Sequence, residues 1–89
     1  MSNSISHQIK VNVKLFAAFQ EAFSQSEISL VLPAHSPVSR VYEKLLTTHP
    51  ALEQWRSVTR YAINLNFAEE NTLLQDGDEV ALIPPVSGG

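Results

Sequence analysis

Apolar and polar residues alternate over four stretches of the chain, which is the pattern of strands with one buried face. The first is IKVNVKLF, where the apolar positions are Ile9, Val11, Val13 and Leu15. EISLVLP, RYAINLNF and the last stretch, EVALI, follow the same period. We interpret RYAINLNF as one strand with Tyr61, Ile63, Leu65 and Phe67 on a single face. The sequence therefore predicts four strands, near residues 9–16, 27–33, 60–67 and 80–83.

A helical period begins between the second and third strands. Ser36 is a favourable N-cap, and Pro37 suits the first helical position, where its missing N–H costs nothing. One apolar stripe then follows at helical spacing, formed by Val38, Val41, Tyr42, Leu45 and Leu46. Pro50 ends this helix. Residues 17–23 and 51–58 have the composition of shorter helical turns, and residues 68–75 fit either a short strand or a turn of helix.

The order of these elements predicts the fold class. One amphipathic helix covers one face of a small sheet, which gives a two-layer α+β domain. The order fits a β-grasp (ubiquitin-like) fold, a mixed sheet with one main helix packed on one face. We expect the first two strands to pair antiparallel and, by analogy with that fold, the first and last strands to lie parallel at the centre. Residues 9–83 form this domain, 1–8 a flexible N-terminal extension, and 84–89 an extended C-terminal tail.

The composition narrows the classes of function. The chain has 89 residues, 44% apolar and 17% charged, as expected of one globular domain. Its net charge is −3 and its basic residues are scattered, so we expect no nucleic-acid partner. No stretch approaches the ~20 apolar residues of a membrane span, and the polar N-terminus lacks a signal peptide. We therefore expect a cytoplasmic protein without a membrane partner.

Few side chains suggest chemistry of their own. Cysteine is absent, and the spacing of His7, His35 and His49 does not suit a metal site, so we predict none. Asp76, Asp78 and Glu79 are interpreted as solvated loop charges, with the Asp-Gly pair forming a turn. We interpret Trp55 as a partly buried anchor.

The C-terminal tail, IPPVSGG, is shaped to project from the sheet. Pro84 and Pro85 donate no backbone hydrogen bond, so the ladder ends at Ile83. The residues that follow can reach roughly 20 Å at ~3.3 Å per residue. Gly88 and Gly89 lack side chains and fit a channel too narrow for other residues. A terminal Gly-Gly alone is also compatible with chance, but the double proline and the strand before it favour a function.

The terminal carboxylate of Gly89 is an anion at pH 7 and does not react with nucleophiles. A covalent role therefore requires activation from outside, such as conversion by ATP to an acyl-adenylate. The glycines stand at positions 77, 88 and 89, so the chain has no glycine-rich phosphate loop to perform that step. The sequence predicts a substrate or carrier, not the catalyst.

Phe16 and Ile83 point to the sheet face opposite the helix. Each lies at the C-terminal end of its strand, and parallel neighbours bring these ends together. We predict an apolar partner-docking patch where the tail leaves the sheet. The alternatives are scattered surface apolar residues, or a Phe16 packed under residues 17–23.

The stretches VKLFAAFQE, YAINLN and, above all, LQDGDEVALIPPVSGG resemble the MoaD family, the small ubiquitin-like sulfur carriers of molybdopterin synthase. The resemblance extends from Ile9 onward. It implies that a MoeB-type enzyme adenylates Gly89 with ATP, after which sulfur gives a thiocarboxylate. The inserted tail is then formed by Pro84, Pro85, Val86, Ser87, Gly88 and Gly89. It would enter a MoaE-type large subunit and give sulfur to cyclic pyranopterin monophosphate, forming molybdopterin.

The same resemblance implies a non-catalytic subunit without a permanently bound cofactor, since the activating enzyme consumes the ATP. It also assigns the position of Ile83 to the docking surface. The chain departs from the family at Gln20, often arginine, and at Leu82 and Ile83, often an aromatic pair. Three alternatives stay open: a sulfur carrier for thiamin, cysteine or tRNA thiolation, a modifier that forms an isopeptide with lysine, and an interaction module with an idle tail.

Overall fold

A computed structural model of the chain describes residues 7–85. The strands are β1 (Gln8–Leu15), β2 (Glu27–Pro33), β3 (Arg60–Ile63), β4 (Asn66–Ala68) and β5 (Glu79–Ile83). The helices are α1 (Ala18–Phe23) and α2 (Ser39–Thr48), and a 3₁₀ segment spans Pro50–Val58. The predicted N-terminal extension, apart from His7 and Gln8, lies outside the described residues. So do the tail predictions on Val86, Ser87, Gly88 and Gly89.

The five strands form one mixed sheet in the order β2-β1-β5-β3-β4. β1 pairs antiparallel with β2 and parallel with β5, where Asn12 lies opposite Glu79 and Leu15 opposite Leu82. β3 pairs antiparallel with both β4 and β5. The predicted antiparallel first pair and the predicted parallel pairing of the first and last strands are confirmed, and the tail therefore leaves from the central strand.

The core lies between one sheet face and the helices. Val11, Val13, Leu15, Val80 and Leu82 point into it from β1 and β5 and are buried. The predicted stripe of α2 is confirmed, because Val38, Val41, Tyr42 and Leu45 are buried and Leu46 packs against them. Burial of each such side chain contributes about 1.5–3 kcal/mol. Among residues 7–85, no helix covers the other face of the sheet.

The start of α2 differs from the prediction. Ser36 is not its N-cap: the Ser36 hydroxyl donates instead to the carbonyl oxygen of Pro33 at 2.6 Å. The backbone around it joins a second segment, since Leu74 N donates to Ser36 O and Val38 N donates to Thr72 O, each at 2.8 Å. These non-local hydrogen bonds engage the backbone that the prediction assigned to the first helical turn, and the helix begins at Ser39.

The predicted third strand is two strands. The chain turns at Asn64 and Leu65, whose φ angles are +52° and +73°, and returns antiparallel as β4. Asparagine tolerates this left-handed conformation. Both the oxygen and the nitrogen of the Asn64 side-chain amide form hydrogen bonds. Asn64 Oδ1 accepts from Glu79 N at 3.0 Å, and Asn64 Nδ2 donates to Asp78 Oδ1 at 2.9 Å. The single face predicted for Tyr61, Ile63, Leu65 and Phe67 is therefore wrong.

The turn before β5 uses its two aspartates as structural acceptors. Asp76 Oδ1 accepts from Lys10 N at 2.8 Å, and Asp78 Oδ2 accepts from Gln75 N at 2.8 Å. Gly77 adopts a φ of +88°, which favours glycine. Asp76 is exposed, as the interpretation of a solvated loop charge requires, and Asp78 is half-buried; both carboxylates also tie the turn to neighbouring backbone. They fix the start of the strand that carries the tail.

Candidate functional site

The face of the sheet opposite α2 carries its own row of side chains. In the strand register Lys14 lies beside Ala81, Ala81 beside Ala62, and Ala62 beside Phe67. Cross-strand partners point to the same face. The two alanines carry only methyl groups, so the sheet surface is low at its centre and rises toward the larger side chains around it.

This depression is an open apolar groove of about 870 Å³. It is lined by Phe16, Ala17, Ala18, Trp55, Ala62, Leu65, Phe67, Glu79, Ala81, Ile83, Pro84 and Pro85. Of these lining residues only Glu79 is charged. Exposed apolar patches of this kind in soluble proteins mark sites of interaction. The groove therefore offers apolar contact rather than groups for catalysis.

Phe16 and Ile83, the two predicted docking residues, both line this groove. Phe16 is 46% exposed, so it is not packed under residues 17–23. Ile83 is half-buried, and Pro84 and Pro85 continue the same wall toward the tail. The structure brings the four residues together where the last strand ends. Their part in docking stays a prediction, as do the roles of Val86 to Gly89.

The three large apolar groove residues that the sequence analysis missed are Trp55, Leu65 and Phe67. Phe67 is 69% exposed and Leu65 is 91% exposed, because the turn at Asn64 reverses the chain and places Phe67 beside Ala62. The signal for this turn is the Asn-Leu-Asn sequence, since asparagine is a turn former. Once the turn is recognised, Phe67 falls on the open face.

Trp55 reaches the groove from the 3₁₀ segment, which is fixed by buried hydrogen bonds. The Tyr42 hydroxyl donates to the carbonyl oxygen of Leu52 at 2.6 Å, and the Thr59 hydroxyl donates to the carbonyl oxygen of Trp55 at 2.7 Å. Trp55 also packs against the core, which confirms its interpretation as a partly buried anchor. Its side chain therefore belongs to both the core and the groove.

Charged groups stand at the two ends of the groove. At one end Lys14 Nζ lies 3.9 Å from Glu79 and 3.8 Å from Glu27. At the other end Arg60 lies opposite Ile83 in the register, with its guanidinium carbon 5.6 Å from the centre of the Phe67 ring. A cation over an aromatic face at this distance is a favourable cation–π contact. Arg60 thus places a cation at the end of the groove where the tail leaves.

The ionisable groups with shifted pKa values lie on the core side of the sheet. Burial raises the pKa of Tyr42 and of Tyr61 above the ordinary value of 10.0. Both side chains support the fold. Within residues 7–85 the structure contains no group of three or more metal-ligating side chains. None of the helices in that range is long and apolar enough to cross a membrane.

The sequence of the whole groove and tail matches a known family. The model of the ThiS family matches residues 13–89. The chain belongs to the ThiS family. A curated relative from Arabidopsis thaliana is 32% identical over 81 residues, which cover 91% of this chain and 84% of the relative. One from Mycobacterium tuberculosis is 37% identical over 82 residues, which cover 91% and 99%. Both are named molybdopterin synthase sulfur carrier subunit, so the resemblance to MoaD-type carriers is confirmed.

Solved structures share the fold of this ThiS-family protein. SAMP1 from Haloferax volcanii superimposes with a TM-score of 0.75 at 29% identity, covering 90% of this chain and 99% of SAMP1. One chain of the complex between subunits 1 and 2 of molybdopterin-converting factor from Helicobacter pylori superimposes with a TM-score of 0.60 at 26% identity. The match covers 91% of this chain and 100% of that chain. A ubiquitin from Caldiarchaeum subterraneum gives 0.61 at 18% identity, covering 92% and 99%. The predicted β-grasp fold is confirmed.

Proposed function

We propose that this protein is the sulfur carrier subunit of a molybdopterin synthase. The observation that carries the proposal is the apolar groove at the root of the tail, in a chain whose relatives carry that name. A carrier needs a surface that holds it on an enzyme while its end reaches the active site. Phe16, Ile83 and Pro84 provide that surface beside the exit of the tail.

The chemistry takes place on the terminal carboxylate of Gly89. An activating enzyme joins this carboxylate to the α-phosphate of ATP, which releases pyrophosphate and leaves an acyl-adenylate. Sulfur at the oxidation level of sulfide, as HS⁻, then attacks the acyl carbon, AMP departs with its bonding electron pair, and the S–H proton is lost to solvent. The product is a thiocarboxylate, with one carboxylate oxygen replaced by sulfur. Gly88 and Gly89 leave the acyl carbon without steric hindrance.

Delivery of the sulfur is the work of the partner enzyme. The charged tail, Pro84 to Gly89, enters the large subunit, where the sulfur passes to cyclic pyranopterin monophosphate. Water restores the carboxylate oxygen, and the carrier returns to its starting state. A dithiolene contains two sulfur atoms, so each molybdopterin consumes two charged carriers. The carrier itself holds no permanent cofactor.

Two protein partners follow from this cycle: an adenylating enzyme of the MoeB type and a large subunit of the MoaE type. The likeness to the Helicobacter pylori complex of subunits 1 and 2 supports the second. Both partners must approach the tail from its root, so the groove would face each in turn. Because the charging step consumes ATP, we expect the protein to act in the cytoplasm.

A second candidate function is conjugation to other proteins. The likeness to SAMP1, whose Methanosarcina acetivorans counterpart is called small archaeal modifier protein 1, favours it. In that case the same acyl-adenylate would lead to an isopeptide bond between Gly89 and a lysine amine. The two functions share activation and differ in the nucleophile that takes the acyl group.

The test is the intact mass of the carrier after incubation with ATP, the activating enzyme and a sulfur donor. The expected result is the mass gain that one sulfur produces on replacing one oxygen. A chain lacking Gly89 serves as the control and should show no gain. The charged carrier, mixed with the large subunit and cyclic pyranopterin monophosphate, should then yield molybdopterin. Absence of the mass gain with an active enzyme, or lysine conjugates in its place, would overturn the proposal.

A further inference from the structure

Arg60 is a cation placed at the tail end of the groove. Arg60 pairs with Ile83 across β3 and β5, and Ile83 directly precedes Pro84. The side chain of Arg60 is exposed. Along β5 this position lies four residues from Glu79, which corresponds to about 13 Å at ~3.3 Å per residue. Arg60 therefore marks the end of the groove from which the tail leaves.

Within residues 7–85 the Arg60 guanidinium forms no ion pair at 4.0 Å or less, although Glu69 and Glu70 line the same surface pocket as Arg60. Lys14, Arg40 and Arg56 each lie within 4.0 Å of a carboxylate. No carboxylate of residues 7–85 lies that close to the Arg60 guanidinium. Its neighbour is instead the ring of Phe67, 5.6 Å from the guanidinium carbon. Water solvates this charge while the groove is open.

Docking of a partner on the groove would remove water from the Arg60 guanidinium. A partner that covers the groove must cover Phe67, which is 69% exposed, and with it the guanidinium that lies over the ring. A guanidinium taken out of water without an acceptor costs free energy, and a carboxylate satisfies two of its N–H donors at once. A carboxylate on the partner at this position would offset that cost most fully, since it is the strongest acceptor for a guanidinium.

The charge of the tail and of the substrate indicates where on the partner this carboxylate would lie. A channel that receives the anionic end of the tail and a phosphate-bearing substrate must itself be cationic. Arg60 at the mouth of such a channel would be repelled unless a carboxylate stood directly opposite. At the far end Lys14 Nζ lies 3.9 Å from Glu79 and 3.8 Å from Glu27, so this cluster carries one more negative charge than positive. The groove is therefore asymmetric in charge, and that asymmetry can fix the orientation of the partner.

We propose that Arg60 is a specificity-determining contact that pairs with a carboxylate on the rim of the large subunit's tail channel. The proposal rests on the function proposed above and adds the chemistry of the partner surface. Arg60 acts with Phe67 as one unit: the ring orients the guanidinium, and the guanidinium selects an acidic partner.

The test measures the Kd of the carrier for the large subunit of the same genome by titration calorimetry at low salt. Arg60→Glu should weaken binding at least about tenfold, because it places like charges opposite each other. Arg60→Gln should weaken it about two- to five-fold. Lys44→Glu, a change of the same charge on an exposed position of α2, is the control and should change Kd less than about twofold. Thermal unfolding of each variant verifies that it is folded.

Salt provides a second measurement. At about 1 M salt the Debye length falls to ~3 Å, so the deficit of Arg60→Glu should shrink toward that of Arg60→Gln. If the Arg60→Glu carrier binds as tightly as the Lys44→Glu carrier, or more tightly than wild type, the proposal about Arg60 is overturned. The proposed function still stands in that case if the wild-type carrier delivers sulfur. A wild-type carrier that takes up no sulfur and binds no large subunit would overturn the proposed function and this inference together.

Discussion

The hydroxyl of Tyr42 connects the core to the groove, and its removal has a calculable effect. Tyr42 is fully buried, and its hydroxyl donates at 2.6 Å to the carbonyl oxygen of Leu52, which is 5% exposed. Tyr42→Phe removes the donor and keeps the ring, including its edge contact with Phe19 at 5.6 Å. The carbonyl is then buried without this donor. Such a loss costs about 1–3 kcal/mol.

This cost is large for a domain of this size. A stability of about 0.05–0.15 kcal/mol per residue amounts to roughly 4–13 kcal/mol for the chain. A loss of about 1–3 kcal/mol should lower Tm by about 4–24 °C, since each kcal/mol is worth ~4–8 °C in a domain this small. The 3₁₀ segment is loosened first, because the lost bond holds it to α2.

Urea unfolding followed by tryptophan fluorescence is the assay, since Trp55 is the single tryptophan and lies in that segment. The control is Tyr61→Phe: Tyr61 is also buried, at 7% exposed, but within residues 7–85 its hydroxyl has no hydrogen-bond partner. The control should lose less than about 0.5 kcal/mol. Equal losses in the two variants would refute the role given to the Leu52 hydrogen bond.

The same variants have a defined pH dependence. The unfolded chain ionises its tyrosines near pH 10, whereas burial raises the pKa of Tyr42 and Tyr61 in the folded state. Above pH 10 the folded state therefore keeps protons that the unfolded state has released. The stability from the neutral hydroxyls is complete below pH 10 and is lost as pH rises through the folded pKa values. The stability difference between wild type and Tyr42→Phe should accordingly shrink above pH 10.

Two further substitutions test the groove and the turn. Phe67→Ser should leave the free energy of unfolding within about 0.5 kcal/mol, because the side chain is 69% exposed, yet weaken binding to the large subunit at least about tenfold by calorimetry. Leu73→Ser, at a position that is 57% exposed and outside the groove lining, is its control, and equal effects on Kd would contradict the docking role. Asp78→Ala removes the acceptor of two hydrogen bonds, at 2.8 and 2.9 Å, and should cost about 1–2 kcal/mol in urea unfolding. Glu69→Ala removes the same charge without those bonds, and a similar loss there would show that charge alone is responsible.

The sequence predicted the elements whose patterns are local. The alternation in β1 and β5 and the stripe of α2 each follow from residues that share one buried face, so the period alone identified them. The β-grasp arrangement added the parallel pairing, which no local pattern contains. Phe16 and Ile83 were placed correctly because strand alternation and that pairing determine their face.

The errors arose where contacts distant in sequence decide the structure. Asn64 reverses the chain because Asp78 and Glu79, from another strand, hold its amide. The start of α2 moves to Ser39 because residues 72–74 engage the backbone at Ser36 and Val38. Because of these distant contacts, Phe67 lies in the groove and Ser36 is not the helix cap that the sequence predicted. A pattern within one segment cannot reveal which other segment will bind it.

The parallel pairing of β1 with β5 also determines the order in which the strands can pair while the chain is being synthesised. β1 and β2 are joined by a short connection and can pair as soon as both have left the ribosome. β5 must follow almost the whole chain before Glu79 can lie beside Asn12, and such distant pairing is slow. Until then Ile83 and Phe16 do not meet, and no groove exists beside the tail. Under the function proposed above, the carrier therefore gains its docking face in the same step that completes the sheet.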